Sequence, residues 1–212
     1  MSSIASVIKQ ISPETKVLGV EPETCKPFSS SVLKGELVSA DKACRFCDGS
    51  SVKSTSQTAV NIGSTSVDGF VDVSLRKLAE KIIKLYSQGY ICEPSGALAV
   101  AGLDKVKNLI KGKTVVCLLT GANIDLVKLD EAREMAMVSK GIKNHFQFQL
   151  PNRKNVVYEL ITKCFKPTDI ISVHYSQRFG KEESQALISV ESSHQEDVEA
   201  YLEKLVENKY RF

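Results

Sequence analysis

Cys44-Arg45-Phe46-Cys47 carries two thiols at the spacing used by zinc sites and by disulfide oxidoreductases. Zinc needs a second pair of ligands, and no further CxxC or HxxxH follows in the chain. A thioredoxin-like dithiol opens a helix after a strand, whereas this pair runs into Asp48-Gly49, a turn signal, so both thiols are expected to be structural. His145, His174 and His194 are scattered, without a Cys or carboxylate at fixed spacing. No nucleophile elbow, P-loop or dinucleotide glycine fingerprint occurs. What remains is a pair of polar turns. Thr120-Gly121-Ala122-Asn123 closes the most strand-like run of the chain, at the end where α/β sheets place ligands. Glu93-Pro94-Ser95-Gly96 sets a carboxylate and a hydroxyl at a helix start whose first N–H groups lie free. Either turn alone can be a plain strand-to-helix connection; together, on successive turns of one sheet, they favour a binding edge.

These turns need elements to hold them. Ile4, Val7, Ile8 and Ile11 recur at helical spacing after Ser2-Ser3, a capping pair, and Ser12-Pro13 ends that helix. Val17-Leu18-Gly19-Val20 reads as a strand buried on both faces of a parallel sheet. A Ser-rich stretch of little periodicity follows, then a strand over residues 69–74 and an amphipathic helix through Leu75, Leu78, Ala79, Ile82 and Leu85. Residues 90–92 read as a very short strand, and Pro94 opens a helix of small residues, which implies close packing. Thr114 to Leu119 is the expected central strand. A helix from about Leu129 to Lys140 ends at Gly141, and the domain boundary is placed there, giving 1–142 and 143–212. The second part reads strand (146–150), helix (156–165), strand (170–175), strand (186–190), helix (198–206) and a last short strand at Tyr210. That βαββαβ order makes a ferredoxin-like sandwich.

The 212 residues are 42% hydrophobic and 25% charged, which excludes a chain disordered as a whole. No apolar run approaches the roughly 20 residues of a membrane span. The 28 basic and 25 acidic residues form no basic block, so neither membrane nor nucleic acid is an expected partner. The first ten residues lack the apolar core of a signal peptide, and a cytoplasmic location with all six cysteines reduced is the default expectation.

Several segments, in order, resemble threonine dehydratase, a pyridoxal-phosphate enzyme of fold type II. Residues 4–22 resemble the helix and strand that follow that family's phosphate-binding glycine loop. Phe46-Cys47-Asp48-Gly49-Ser50-Ser51-Val52-Lys53 is similar to its F-x-D-G-x-A-V-K segment. Glu93-Pro94-Ser95-Gly96-Ala97-Leu98-Ala99 is similar to its E-P-[AS]-G-A-L-A helix start, and Thr120-Gly121-Ala122-Asn123 to its [ST]-G-[AG]-N turn. Residues 141–153 resemble the entry to the ACT-like regulatory domain that members of the family carry.

The resemblance implies an α/β fold in which 1–142 is the C-terminal part of the cofactor domain and 143–212 an ACT-like domain. It implies pyridoxal phosphate as cofactor and the conversion of L-threonine to 2-oxobutanoate and ammonia by β-elimination, a reaction of isoleucine biosynthesis. Thr120 matches the hydroxyl residue that faces the pyridine nitrogen; Gly49 and Glu93 match positions lining the ring, and Gly121 the turn beside it. No lysine matches the one that forms a Schiff base with the cofactor, and no glycine-rich loop is found for its phosphate, so the N-terminal half is expected to be absent and this chain alone inactive. In the related serine racemases Glu21 would be a cation ligand, but Lys26-Pro27 replaces the second acidic residue, so no metal is expected. Residues 1–142 should then expose apolar surface, while 143–212 should fold alone. The implied partners are an amino acid at the ACT-like domain and a second copy, a full-length dehydratase or an N-terminal half. The alternative is a non-enzymatic, amino-acid-binding regulatory protein.

Overall fold

The computed structural model describes every residue except 167, 178, 179, 181 and 193, together with all side chains of the described helices and strands but that of residue 195. The chain divides into two compact units, Met1–Ala136 and Met137–Phe212. The first holds a parallel sheet and the second an antiparallel one.

In the first unit, α1 (Ser2–Ile11), β1 (Leu18–Pro22), α2 (Pro27–Lys34) and α3 (Gln57–Ser66) precede β2 (Gly69–Val73) and α4 (Leu75–Ser87). Then come α5 (Pro94–Gly102), the short α6 (Lys107–Ile110) and α7 (Leu126–Ser139), whose residues from Met137 on count with the second unit. β1 and β2 pair in parallel, Leu18 opposite Gly69 through Pro22 opposite Val73. The small residues of α5 work as the sequence suggests: a Cβ on Gly102 would stand 3.1 Å from Val20, so the helix packs closely against β1. Leu78, Ala79, Ile82, Ala97 and Ala101 fill the core between α4 and α5.

Three local expectations fail, and a stretch of little periodicity holds two helices. The segment 114–119 has no ladder among the described residues, and Val116 is 81% exposed. A strand exists only against a neighbour's N–H and C=O groups, and no described residue pairs with this segment. The segment runs instead beside α5, where the Cys117 thiol donates to the Ala99 carbonyl at 3.8 Å. Residues 90–92 form no strand either, because the Tyr90 N–H turns back to Leu85 O at 2.9 Å and closes α4, with Gly89 at φ +85°. Ser2 and Ser3 lie within α1, and Met1 is the capping residue; the Ser2 hydroxyl donates to Ala59 O at 2.9 Å, joining α1 to α3. The Ser-rich stretch, finally, contains two helices. α2 begins with Pro27 at its first turn, and the Glu21 carboxylate at the end of β1 accepts the N–H groups of Phe28 (3.1 Å) and Ser29 (2.8 Å). α3 has its own cap, Ser56, whose hydroxyl accepts the Ala59 N–H at 3.2 Å.

The apolar stripe of α1 faces outward: Val7 and Ile11 are 55% and 78% exposed, while Ser2 and Ala5 are buried. Exposed apolar surface in this unit is what the sequence led us to expect.

The second unit runs β3 (Lys143–Pro151), α8 (Val156–Cys164), β4 (Asp169–Ser176), β5 (Glu183–Glu191) and α9 (Gln195–Glu207). Its strands stand in the order β3-β5-β4, all antiparallel. The expected last strand is a single bridge, Arg211 to Gln149. Along β5, Ser184, Ala186, Ile188 and Val190 turn inward, meeting Phe148, Leu150, Leu160 and Leu205, all buried. Fully burying each Leu or Phe of such a core contributes about 1.5–3 kcal/mol. Among the described residues no helix is long and apolar enough to cross a membrane.

Asp68 clasps the first unit's start. It accepts the Val17 N–H at 2.7 Å and pairs with Lys9 (2.8 Å) and Lys16 (3.2 Å). Burial opposes its charge, but the hydrogen bonds from Lys9, Val17 and Lys16 prevail and lower its pKa from 3.8 to about 2. A lowered folded-state pKa stabilises above the unfolded value, and that stability is lost as pH falls through the folded value. Asp68 should therefore contribute on the order of 1 kcal/mol at neutral pH after solvent screening. That contribution should be lost between about pH 4 and 2. Urea unfolding of Asp68→Asn should show a lower midpoint at pH 7 and a flatter decline below pH 4; a decline as steep as the parent's would remove Asp68 from the acid response.

Candidate functional site

Glu93 is the residue before α5, and Pro94, fixed near a helical φ, occupies its first position. The Glu93 N–H donates to the carbonyl of Gly121 at 3.1 Å, which brings the turn 120–123 to the start of α5. Gly121 adopts φ +71°, where a side chain is strained, and a Cβ there would stand 2.5 Å from the Glu93 carboxyl carbon. On Gly96, in the first turn of α5, a Cβ would fall on the Thr120 carbonyl group. From the other side comes the short 3₁₀ turn Asp48–Ser50, where a Cβ on Gly49 would run into the Ser95 hydroxyl and stand 2.8 Å from Glu93 Oε1. The lack of a side chain at Gly49, Gly96 and Gly121 thus lets separate turns converge on one carboxylate.

Glu93 itself is half-buried, and the Ser95 hydroxyl donates to its Oε1 at 2.8 Å. Thr120, Gly121 and Gly49 are exposed around it. Among the described residues, nothing of the protein accepts from or donates to the Thr120 hydroxyl. The arrangement offers a carboxylate of fixed orientation, a free hydroxyl and glycine backbone that a flat ring can approach. All of Thr120, Gly121, Gly49 and Glu93 meet here, joined by Ser95, which orients the carboxylate, and Gly96, which admits the Thr120 carbonyl. Both additions could be read from the Pro94 start, since Pro at the first helical position puts Ser95 and Gly96 on the first turn, beside the capping Glu93.

Other residues that could do chemistry lie elsewhere. Glu21 caps α2. His145 and His174 stand on β3 and β4 with β5 between them; His145 Nδ1 is 2.8 Å from the Ser189 hydroxyl, and His194 precedes α9. Among the described residues no cluster of three or more His, Cys, Asp or Glu side chains could hold a metal ion. All six cysteines are free thiols, and five are buried.

Turns of this kind, beside a parallel strand pair, define a class. The family model described as "Pyridoxal-phosphate dependent enzyme" matches residues 1–121, and the chain belongs to that family, whose cofactor is pyridoxal phosphate. Within it, the chain is similar to threonine dehydratases. It is 32% identical over 214 residues to the biosynthetic L-threonine dehydratase IlvA of Halalkalibacterium halodurans, covering 100% of this chain and 52% of that protein. Against the IlvA of Bacillus subtilis the identity is 30%, over 100% of this chain and 51% of the relative. Among solved structures, the processed form of threonine deaminase isoform 2 from Solanum lycopersicum superposes with a TM-score of 0.60 at 32% identity, over 64% of this chain and 40% of that one. The chain spans about half the length of the curated relatives it matches.

The convergence on Glu93 has a measurable cost when a glycine gains a methyl group. Gly96→Ala should destabilise the first unit by about 2–3 kcal/mol, because backbone must move to admit it. Gly112→Ala, at φ +74° with nothing within 4 Å, should cost only about 1 kcal/mol. Equal midpoints for the two variants in urea would mean that the turns do not pack as described.

Proposed function

We propose that residues 1–142 form one wall of a pyridoxal-phosphate site, and that the protein to which they belong is a threonine dehydratase converting L-threonine to 2-oxobutanoate and ammonia. The single observation that carries this reading is the meeting of Gly49, Glu93, Thr120 and Gly121 within a chain of this family. The donor set suits the cofactor's ring edge: the unpartnered Thr120 hydroxyl can donate to a pyridine nitrogen, and the glycines leave room for a ring plane. Pyridoxal phosphate, when bound, supplies the electron sink that lets an amino acid lose its α-proton and then its β-hydroxyl. The Thr120 hydroxyl would leave the ring nitrogen neutral, where a carboxylate in its place would hold a proton on it. Ser95, donating to Glu93 Oε1 at 2.8 Å, fixes the orientation of the carboxylate.

No lysine of residues 1–212 matches the family's cofactor-linking lysine, so residues 1–212 alone should form no 2-oxobutanoate from L-threonine. The native protein, captured from its source through an antibody to the second unit, should form it. There Thr120→Asp should lower kcat by at least tenfold, about 1.4 kcal/mol of barrier. A native protein that leaves L-threonine unchanged would refute the reading.

The second unit favours a regulatory role. Its element order, β3-α8-β4-β5-α9 with Arg211 bridging back to β3, is the order of a ferredoxin-like, ACT-like sandwich, and Phe148, Leu150, Leu160, Ile188 and Leu205 form its buried core. We place an amino-acid ligand and association with a second copy or a full-length dehydratase on this unit. Limited proteolysis should leave a resistant fragment beginning near residue 137, and calorimetry of the chain with isoleucine or valine should record heat. A fragment degraded as fast as the first unit, or no heat with any branched amino acid, would count against the regulatory role.

A further inference from the structure

Cys44 and Cys47 are 5% and 0% exposed, in the core beneath the Gly49 turn. They are not two unrelated buried thiols. The Cys47 backbone N–H donates to the Cys44 sulfur at 3.4 Å, folding the first side chain back over the second residue. A disulfide between residues three apart needs that return, since its Cα atoms must lie within about 4.4–6.8 Å. Cys47 then leads straight into the 3₁₀ turn Asp48–Ser50, whose Ser50 N–H donates to the Cys47 carbonyl at 3.0 Å. Burial first, and then the neighbouring Cys44, push the Cys47 thiol up, so it rests as the protonated thiol. Outside the loop, the Lys128 ammonium donates to the Arg45 carbonyl at 3.1 Å and stands 5.7 Å from the Phe46 ring centre, holding the two residues between the cysteines. The Asp48-Gly49 turn signal after the pair led to the expectation of structural thiols; the same turn supplies the folded-back geometry.

We propose that Cys44 and Cys47 form a reversible dithiol–disulfide site that closes by exchange with a small disulfide of the glutathione class. Cys44, the less buried, attacks one sulfur of that disulfide, forming a mixed disulfide and releasing one thiol. Cys47 gives its proton to the departing thiolate and attacks the Cys44 sulfur, releasing the second thiol. The protein loses two electrons and two protons, and the oxidant gains both as two thiols. The new bond pins the loop that carries Gly49 against Glu93 and Ser95. This site stands whether or not the cofactor reading does, because its test reads only sulfur.

Residues 1–212 are incubated with oxidised glutathione, quenched in acid, alkylated and mapped by peptide mass. The expected result is a Cys44–Cys47 linked peptide, no stable glutathione on either residue, and full reversal by reduced glutathione. Cys47→Ser should accumulate one glutathione on Cys44, and Cys44→Ser should leave Cys47 unmodified at the same dose. The proposal is overturned by stable glutathione on both residues of the parent chain, or by Cys47 joined to Cys25 or Cys92. It is equally overturned if both thiols stay free when the half-buried Cys117 is fully modified.

Discussion

A backbone carbonyl lying where a side chain would be is the contact on which the site depends. Thr120 O occupies the space that a Cβ on Gly96 would fill, and the Glu93 N–H reaches the next carbonyl, Gly121 O, at 3.1 Å. These two contacts bring residues 120–121 against the first turn of α5 although no ladder among the described residues holds 114–119. Helix starts leave N–H groups unsatisfied, and here one is met by a turn from a distant part of the chain. Glu93, so fixed, becomes the carboxylate around which Gly49 and Gly121 close.

The two units solve the packing problem differently. Residues 143–212 turn alternate β5 residues inward and close a core of Phe148, Leu160, Ile188 and Leu205 with two helices. The first unit leaves Val116, Ile11 and Leu126 about four-fifths exposed and relies on polar clasps at its margins: Asp68 with Lys9 and Val17, Glu21 with the start of α2. Apolar surface of that extent offers a ready contact for other protein.

Much of this was legible where local pattern and tertiary burial agree. The 3.6-residue period of α4 and the Pro94 start of α5 each follow from residues that pack as their spacing implies. The motif turns at Gly49, Glu93 and Thr120-Gly121 were visible from spacing and resemblance, but their meeting was not, since it depends on volumes that three glycines lack. α2 was hidden because its cap is a carboxylate contributed from β1, and three consecutive serines obscure its period. Residues 114–119 misled for the opposite reason: β propensity is high there, but a strand needs a partner that the described residues do not supply.

The central claim is that Gly49, Glu93, Thr120 and Gly121 together face a pyridine ring. It is tested most directly by titrating isotope-labelled residues 1–212 with 4-deoxypyridoxine 5′-phosphate, which has no aldehyde to react with surface lysines, and following backbone amide shifts. The account requires saturable shifts centred on those residues, weakened by Thr120→Val. Shifts confined to other surfaces, or none at any of the four, would contradict it.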